Sequence, residues 1–154
     1  MTVEAANPSD FAKLTGLEFL QAMIDGKYPK PSIGRTLGFT LVSVSPGEAV
    51  FEMAVGPHLL NPLGSVHGGV ALTLIDSAAG CAVHTELPAG TGYTTIETKV
   101  NFVRPISADS GVLRSTGRVL NLGRQIATAE AHIFSDQDKL LAHGTSTLFI
   151  MARR

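Results

Sequence analysis

The sequence predicts an α+β domain in which a six-stranded antiparallel sheet wraps one long central helix, with an extra helix at the N-terminus. A length of 154 residues is that of one domain. An apolar content of 44% with 16% charged residues is typical of a packed core. Six strand-like runs flank a single long Ala- and Leu-rich segment. We assign residues 1–32 to an N-terminal helix and connector, and residues 33–154 to the main domain.

The N-terminal helix is predicted from its cap and its apolar periodicity. Asn7 followed by Pro8 favours a helix start, and Gly26 favours its end. Residues 27–32 contain two prolines and are predicted to form a connector. The apolar stripe recurs at three- and four-residue steps, at Phe11, Leu14, Leu17, Leu20 and Ile24.

The central helix is predicted over residues 68–85, a segment too long for a typical strand and rich in small residues that allow close packing. The links between strands are too short to hold crossover helices, so neighbouring strands should be antiparallel. The predicted strands cover residues 36–44, 48–55, 93–104, 112–121, 125–135 and 140–151.

Charge and cysteine content exclude several classes of function. Twelve Lys and Arg against thirteen Asp and Glu leave a net charge of -1, so neither nucleic acid nor an anionic membrane is an expected partner. A single cysteine, Cys81, cannot form an internal disulfide, and the first residues lack the pattern of a secretory signal. We therefore expect a cytoplasmic protein. A mean hydropathy of +0.22 is high for a lone small domain and predicts self-association.

Asp76 is the most informative residue of the chain. It is the only residue between Val66 and Thr85 with an obligatory charge, and it lies in the segment predicted to be buried. A carboxylate taken out of water costs several kcal/mol unless it is hydrogen-bonded, ion-paired or protonated. The structural alternative is that Asp76 faces solvent or accepts bonds from strand hydroxyls. The functional alternative is catalysis.

The segment that precedes Asp76 favours catalysis. Residues 61–69 read NPLGSVHGG and bring two glycines, Gly68 and Gly69, to the predicted start of the helix, where the first N–H groups have no intrahelical partner. The Gly68 N–H could polarise a carbonyl group and stabilise an oxyanion. Eight residues separate Gly68 from Asp76, roughly 12 Å along a helix, so one carbonyl cannot touch both. A shared substrate would require an antiparallel helix from a second copy.

These residues resemble the signature of hotdog-fold acyl-CoA thioesterases of the phenylacetate-pathway (PaaI-like) type. The resemblance covers about residues 33–150, including the strand that begins at Tyr93. It implies hydrolysis of an acyl-CoA thioester to a carboxylic acid and free CoA, in dimers that often pair into tetramers.

The resemblance also implies roles for individual residues. Asp76 matches the catalytic carboxylate, as general base or nucleophile, and Gly68 matches the carbonyl-polarising N–H. Asn61 matches a side chain that helps to place the carbonyl or water, His67 a residue that orders the loop, and Thr95 a hydroxyl that helps to hold the attacking water. Where some relatives carry Ser or Thr one turn after the carboxylate, this chain has Gly80.

Two other functions stay open at this point. A hotdog-fold enoyl-CoA hydratase or dehydratase would pair a catalytic His with a carboxylate in other motifs. A non-catalytic acyl-CoA-binding module would need Asp76 only as a polar contact.

The CoA phosphates require cations and backbone N–H groups near the site. No Lys or Arg falls between Thr36 and Thr98, and eight lie from Lys99 onward. We expect no cofactor, because CoA is part of the substrate, and no metal site, because the histidines lack a ligand spacing. The candidate phosphate-binding residues are Arg104, Arg118 and the pair Gly123 and Arg124, the pair being preferred because a Gly-bearing turn can expose its N–H groups.

Overall fold

The computed structural model of the protein describes residues 12–152. Within this range the chain forms three α-helices and one six-stranded sheet with the strand order β1-β2-β4-β5-β6-β3. Every paired neighbour is antiparallel, as predicted. The helices are α1 (Gly16–Ile24), α2 (Ser32–Leu37) and α3 (Gly68–Thr85), and the strands are β1 (Phe39–Ser45), β2 (Glu48–Ala54), β3 (Thr91–Phe102), β4 (Val112–Leu122), β5 (Ile126–Phe134) and β6 (Leu140–Ala152).

The central helix α3 has the bounds that the sequence predicts and packs against all six strands. Its core-facing side consists of small and branched apolar residues, and Ile75, Ala78 and Ala79 are fully buried. The sheet comes very close to it at Gly117 of β4, where a Cβ atom would lie 2.2 Å from the Ala78 carbonyl oxygen. Small residues on both elements therefore allow the sheet to wrap the helix, which confirms the predicted hotdog fold.

The extra N-terminal helix is present, but it starts later than the apolar stripe suggests. Leu14 lies in a turn, and α1 begins at Gly16. A capping box sets this start: the Thr15 hydroxyl accepts the Glu18 N–H, and the Glu18 carboxylate accepts the Thr15 N–H. The predicted cap at Asn7 and Pro8, together with Phe11, lies outside the described residues.

The segment between α1 and β1 differs from the prediction. Residues 32–37 form the short helix α2, so the strand predicted from residue 36 begins at Phe39 instead. Gly38 has φ = 81° and ends α2, a conformation that glycine adopts without strain. The apolar pattern of residues 36–44 did not show this stop, because Gly38 can also occur within a strand.

Strand β3 lies at one edge of the sheet and contains an irregularity that shapes the site. Its register with β6 shifts between Thr95 and Glu97, as in a β-bulge at Ile96. The extra residue brings Thr95 and Thr98 to the same face of the strand, although they are three positions apart. No helix in residues 12–152 is long and apolar enough to cross a membrane.

Candidate active site

Asp76 projects from the middle of α3 toward β3 and is half-buried. Its Oδ1 atom accepts the Thr95 hydroxyl at 2.8 Å and the Thr98 hydroxyl at 3.0 Å. These two hydrogen bonds offset part of the free energy that is lost when the carboxylate is partly removed from water. Among residues 12–152, no protein group is hydrogen-bonded to Oδ2, so this oxygen is available to a ligand.

A second hydroxyl extends this network away from the carboxylate. Ser146 of β6 is almost fully buried, and its Oγ lies 2.9 Å from Thr98 Oγ1. Because Thr98 donates to Asp76, Ser146 is the donor of this second bond. Thr95 is predicted from the sequence, whereas Thr98 and Ser146 are not. Alternation along a regular strand would put Thr95 and Thr98 on opposite faces, and only the bulge in β3 overrides it.

The start of α3 presents a backbone donor. His67 caps the helix: its Nδ1 atom accepts the Gly69 N–H at 2.9 Å, and its carbonyl accepts the Val70 N–H at 2.9 Å. In this geometry Nδ1 carries no proton. The Gly68 N–H has no hydrogen-bond partner within residues 12–152, which leaves it available to a ligand.

Asn61 holds the loop that leads into this helix start. Its Oδ1 accepts the N–H groups of Leu63 and Ser65, and its Nδ2 donates to Ser65 Oγ at 2.9 Å. The structure therefore places Asn61 in the same loop as His67, with its side chain engaged in shaping the turn. The role in positioning a carbonyl or water stays a prediction.

Gly68 lies at the wall of an open cavity of about 410 Å³ that also includes Phe102 and Arg104. A Cβ atom on residue 68 would lie 3.0 Å from Phe102 Cζ, so the aromatic ring covers the helix start closely. The Arg104 guanidinium is exposed and donates to the Leu140 carbonyl at 2.6 Å. A backbone donor and a cation thus share one depression.

The other predicted phosphate-binding residues lie elsewhere. Arg118 forms a 2.8 Å ion pair with Glu48 across β2 and β4. Arg124 is exposed in the turn between β4 and β5. The neighbouring Gly123 N–H donates to the Ile126 carbonyl at 2.9 Å, so this group is engaged within the turn and is not offered to a phosphate as predicted.

Gly80, one turn after Asp76, faces a tyrosine from β3. A Cβ atom at residue 80 would lie 2.6 Å from the Tyr93 hydroxyl, so the phenol occupies the space that a side chain there would need. Burial, with Cys81 and Asp76 nearby, raises the pKa of Tyr93 above its ordinary value. The absence of a helix hydroxyl at Gly80 is visible in the sequence, but the strand residue that occupies its place is not.

Comparison with known proteins decides the family. The family model described as "Thioesterase superfamily" matches residues 63–142, more than half of the chain and the part that holds the helix start, Asp76 and the Thr95–Thr98 pair. This chain belongs to the Thioesterase superfamily. It is a PaaI-like hotdog enzyme that hydrolyses thioesters, as the resemblance implied.

Individual members of the Thioesterase superfamily cover most of the chain. "Acyl-coenzyme A thioesterase PaaI" of Escherichia coli is 29% identical over 115 residues, 75% of this chain and 79% of the relative. "1,4-dihydroxy-2-naphthoyl-CoA hydrolase" of Listeria monocytogenes is 26% identical over 119 residues, 77% of this chain and 95% of the relative. The solved PaaI structure from E. coli superposes with a TM-score of 0.75 at 25% identity and covers 95% of this chain and 97% of that one.

Proposed function

We propose that this protein hydrolyses acyl-CoA thioesters at active sites shared by two copies, with Asp76 from one copy and the Gly68 N–H from the other. The observation that carries this proposal is the arrangement on α3. A carboxylate is held through one oxygen, and eight residues away on the same helix a backbone N–H has no partner within the described residues. The roughly 12 Å between them cannot be spanned by one carbonyl, but two antiparallel copies of the helix would juxtapose them.

The chemistry follows from these two groups. Asp76 Oδ2 takes a proton from water, the water oxygen bonds to the thioester carbon, and the carbonyl oxygen becomes an oxyanion held by the Gly68 N–H. The intermediate collapses, the carbon–sulfur bond breaks, and the CoA sulfur receives the proton. In the nucleophilic variant, Oδ2 itself attacks to give a mixed anhydride that water then hydrolyses. Single turnover in ¹⁸O-labelled water detects the anhydride route when water attacks the aspartyl carbon of the anhydride, because the label then enters the Asp76 carboxylate instead of the product acid.

Exposure on α3 and β3 supports the second copy as the partner. Leu72 of α3 is 36% exposed, and Ile96 of β3 is 57% exposed. Beyond β3 no further strand of the described chain is paired, so its edge is open to a strand of another copy. Covering these apolar side chains in a dimer would also account for the high mean hydropathy. Pairing of two dimers into a tetramer and a cytoplasmic location stay predictions.

The cavity next to Gly68 supports a path for CoA. If the thioester carbonyl lies at the Gly68 N–H, the pantetheine chain leaves through the depression that contains Arg104. A neighbouring depression of about 370 Å³ contains Arg104 together with Lys139, so two cations lie along this path. We therefore favour Arg104 over Arg124 for the phosphates, a revision of the preference drawn from the sequence.

The names of the relatives support an acyl-CoA substrate, because two of them are described as hydrolases of coenzyme A thioesters. Family membership favours hydrolysis over the hydratase and over the non-catalytic binding module. A panel of acyl-CoA substrates tests this directly. We expect thiol release from at least one of them, whereas water addition to an enoyl-CoA, or binding without turnover, would contradict the proposal.

The role of Asp76 is tested with Asp76→Asn, matched by Glu52→Gln, which changes an exposed carboxylate on β2. We expect kcat to fall at least about 100-fold for Asp76→Asn and to stay unchanged for Glu52→Gln, with both proteins folded. Turnover of Asp76→Asn close to that of the wild type would remove Asp76 from the mechanism.

The sharing of the site is tested by mixing subunits. Asp76→Asn and Gly68→Ala should each be impaired alone. After unfolding and refolding together, mixed dimers contain one intact site, formed by Asp76 of the Gly68→Ala copy and Gly68 of the Asp76→Asn copy. Recovery of activity in the mixture, but not in either parent refolded alone, is the expected result. No recovery in a verified mixed dimer would contradict a shared site.

The CoA path is tested with Arg104→Glu and Arg124→Glu. We expect Arg104→Glu to raise KM for an acyl-CoA more than for the same acyl group on pantetheine, which lacks the nucleotide phosphates. If Arg124→Glu instead produced the larger CoA-specific increase in KM, Arg124 would be the phosphate-binding residue.

A further inference from the structure

An apolar cavity of about 110 Å³ lies beside the second half of α3, at the opposite end of the helix from Gly68. Phe39 of β1 and Phe51 of β2 form its floor, with their ring centroids 5.7 Å apart. Cys81 of α3 forms its inner wall. Residues 61–69, which carry the family signature, contribute no side chain to this space, so the signature does not predict it.

The N-terminal part of the chain closes this cavity. Met23 and Ile24 of α1 line it, and so does Lys30 of the connector. The Lys30 ammonium group donates to the Thr40 hydroxyl at 3.3 Å across the rim. The side chains of Met23, Ile24 and Lys30, which precede the sheet in the sequence, therefore limit the volume of the cavity.

Cys81 links the cavity to the reaction centre. It lies five residues after Asp76 on the same helix, about 8 Å along the axis. The Tyr93 ring packs over Gly80, the residue that precedes Cys81 on the helix. The Tyr93 phenol, which meets Gly80, and Cys81, which lines the cavity, therefore connect the surroundings of Asp76 with the apolar space.

The wall formed by Cys81 suits an apolar occupant. Burial raises the pKa of the Cys81 thiol to about 12, so the sulfur is uncharged at neutral pH. The residue nonetheless keeps accessible surface, because part of it faces the cavity. Apart from Lys30 at the rim, the residues that line the cavity carry no charge. Apolar cavities of this kind stay dry and gain from filling by apolar groups.

We propose that this cavity holds the tail of the acyl group and restricts the substrate to short aliphatic acyl chains. The proposal rests on the function proposed above and names its substrate class. The size is the deciding quantity: an apolar cavity of roughly 150 Å³ accommodates a benzene ring, and 110 Å³ is smaller. A short linear or branched chain fits, whereas an aryl group requires the walls to move.

A series of S-alkyl-CoA thioethers tests the assignment without relying on turnover, because a thioether cannot be hydrolysed. Each buried methylene should tighten Kd roughly fourfold until the cavity is full, after which Kd should level off. We expect the wild-type protein to level off within a short chain. In parallel, kcat/KM should be at least about tenfold higher for butyryl-CoA than for benzoyl-CoA.

Two variants should move this limit in opposite directions. Met23→Ala enlarges the cavity and should extend the chain length at which Kd levels off, and it should also narrow the gap between butyryl-CoA and benzoyl-CoA. Cys81→Leu fills the inner wall and should shorten the limit, with Cys81→Val as the smaller replacement if Cys81→Leu does not fold. Leu17→Ala is the matched control, because Leu17 lies on the same helix as Met23 but does not line the cavity.

The outcomes separate the two proposals. Thiol release from acyl-CoA substrates with a chain-length limit that neither Met23→Ala nor Cys81→Leu moves would overturn the cavity assignment alone. The thioethers could instead bind with a chain-length limit that both variants change, while no acyl-CoA releases thiol. That result would support the cavity assignment and contradict hydrolysis. The assignment would also be overturned if Leu17→Ala changed the chain length at which Kd levels off as much as Met23→Ala does.

Discussion

The two ends of α3 present the same kind of small residue in opposite surroundings. At the N-terminal end, Gly68 is partly exposed and Gly69 is exposed, and a Cβ atom at these positions would first meet the rings of Phe102 and His67. In the second half, Gly80 is buried beneath Tyr93, and His84 packs between Phe19 and Tyr93. We call the surroundings of Gly80 and His84, which the chain buries itself, the covered half, and the helix start at Gly68 and Gly69, which stays partly accessible, the uncovered half.

This difference separates stability from function along one helix. A group added in the covered half must displace packed side chains, so it should act on the free energy of unfolding. A group added in the uncovered half meets flexible or exposed atoms, so it should act on what binds there. Four changes test this division, in decreasing order of expected effect.

Gly68→Ala should lower kcat about 100-fold while leaving the free energy of unfolding nearly unchanged. The added methyl keeps the N–H but lies 3.0 Å from Phe102 Cζ and crowds the position of the carbonyl. Steady-state kinetics together with urea denaturation measure both quantities. A loss of folding free energy that matches the loss of activity would show that Gly68 is needed for folding and not specifically for binding the substrate.

Gly80→Ala should destabilise the protein by about 2 kcal/mol, because its Cβ would lie 2.6 Å from the Tyr93 hydroxyl. Gly69→Ala is the control, with an expected change below about 1 kcal/mol, since its neighbour His67 is exposed. Introducing Tyr93→Ala should make a subsequent Gly80→Ala change less costly than it is in the wild type. Equal costs in both backgrounds would show that the phenol does not restrict residue 80.

Lowering the pH should weaken the covered half through His84. Burial lowers the pKa of this imidazole to about 4, so the folded protein holds it neutral while the unfolded chain protonates it near pH 6.5. Between these values the unfolded state binds more protons, so the free energy of unfolding falls as the pH falls. The contribution is complete above pH 6.5 and should be reduced by about 2 kcal/mol at pH 5.

His84→Gln isolates this effect. Denaturation curves of the wild type and the variant between pH 7 and pH 4.5 should show a shallower pH dependence in the variant. Parallel curves would assign the acid sensitivity to other groups.

Thr98→Val should reduce kcat about tenfold, because it removes one of the two hydroxyl donors to Asp76 and breaks the connection to Ser146. Thr94→Val, on the exposed face of the same strand, is the control and should leave kcat unchanged. If both variants keep full activity, the Thr98 hydroxyl only provides a hydrogen bond to the half-buried Asp76 carboxylate and does not orient it.

Several features could be predicted from the sequence because their causes are local. The bounds of α3 follow from the length of a segment that is rich in Ala and Leu, begins at a glycine pair and contains a single charged residue. Asp76 could be identified because a single charged residue in a segment predicted to be buried is energetically costly unless it has a partner or a function. The start of α1 was misplaced, because the capping box of Thr15 and Glu18 interrupts an apolar stripe that itself continues.

The hydroxyl network could not be predicted, because strand alternation gives the wrong face for Thr98. The bulge at Ile96 is visible only from the pairing of β3 with β6. The phosphate preference for Gly123 and Arg124 also depended on a free N–H, and the turn itself uses the Gly123 N–H. For both the β3 bulge and the Gly123 turn, backbone hydrogen bonding determined the geometry, and residue types alone did not indicate it.

The sequence by itself determined the wrapped central helix, the carboxylate within it and the donor at its start, because helix periodicity, capping and composition act over a few residues. Only the tertiary structure decided which hydroxyls hold Asp76, that Tyr93 fills the space above Gly80, and that α1 and the connector enclose a cavity beside Cys81. These contacts join residues tens of positions apart, and their geometry depends on strand register and on the packing of the N-terminal helices, which no short stretch of sequence encodes.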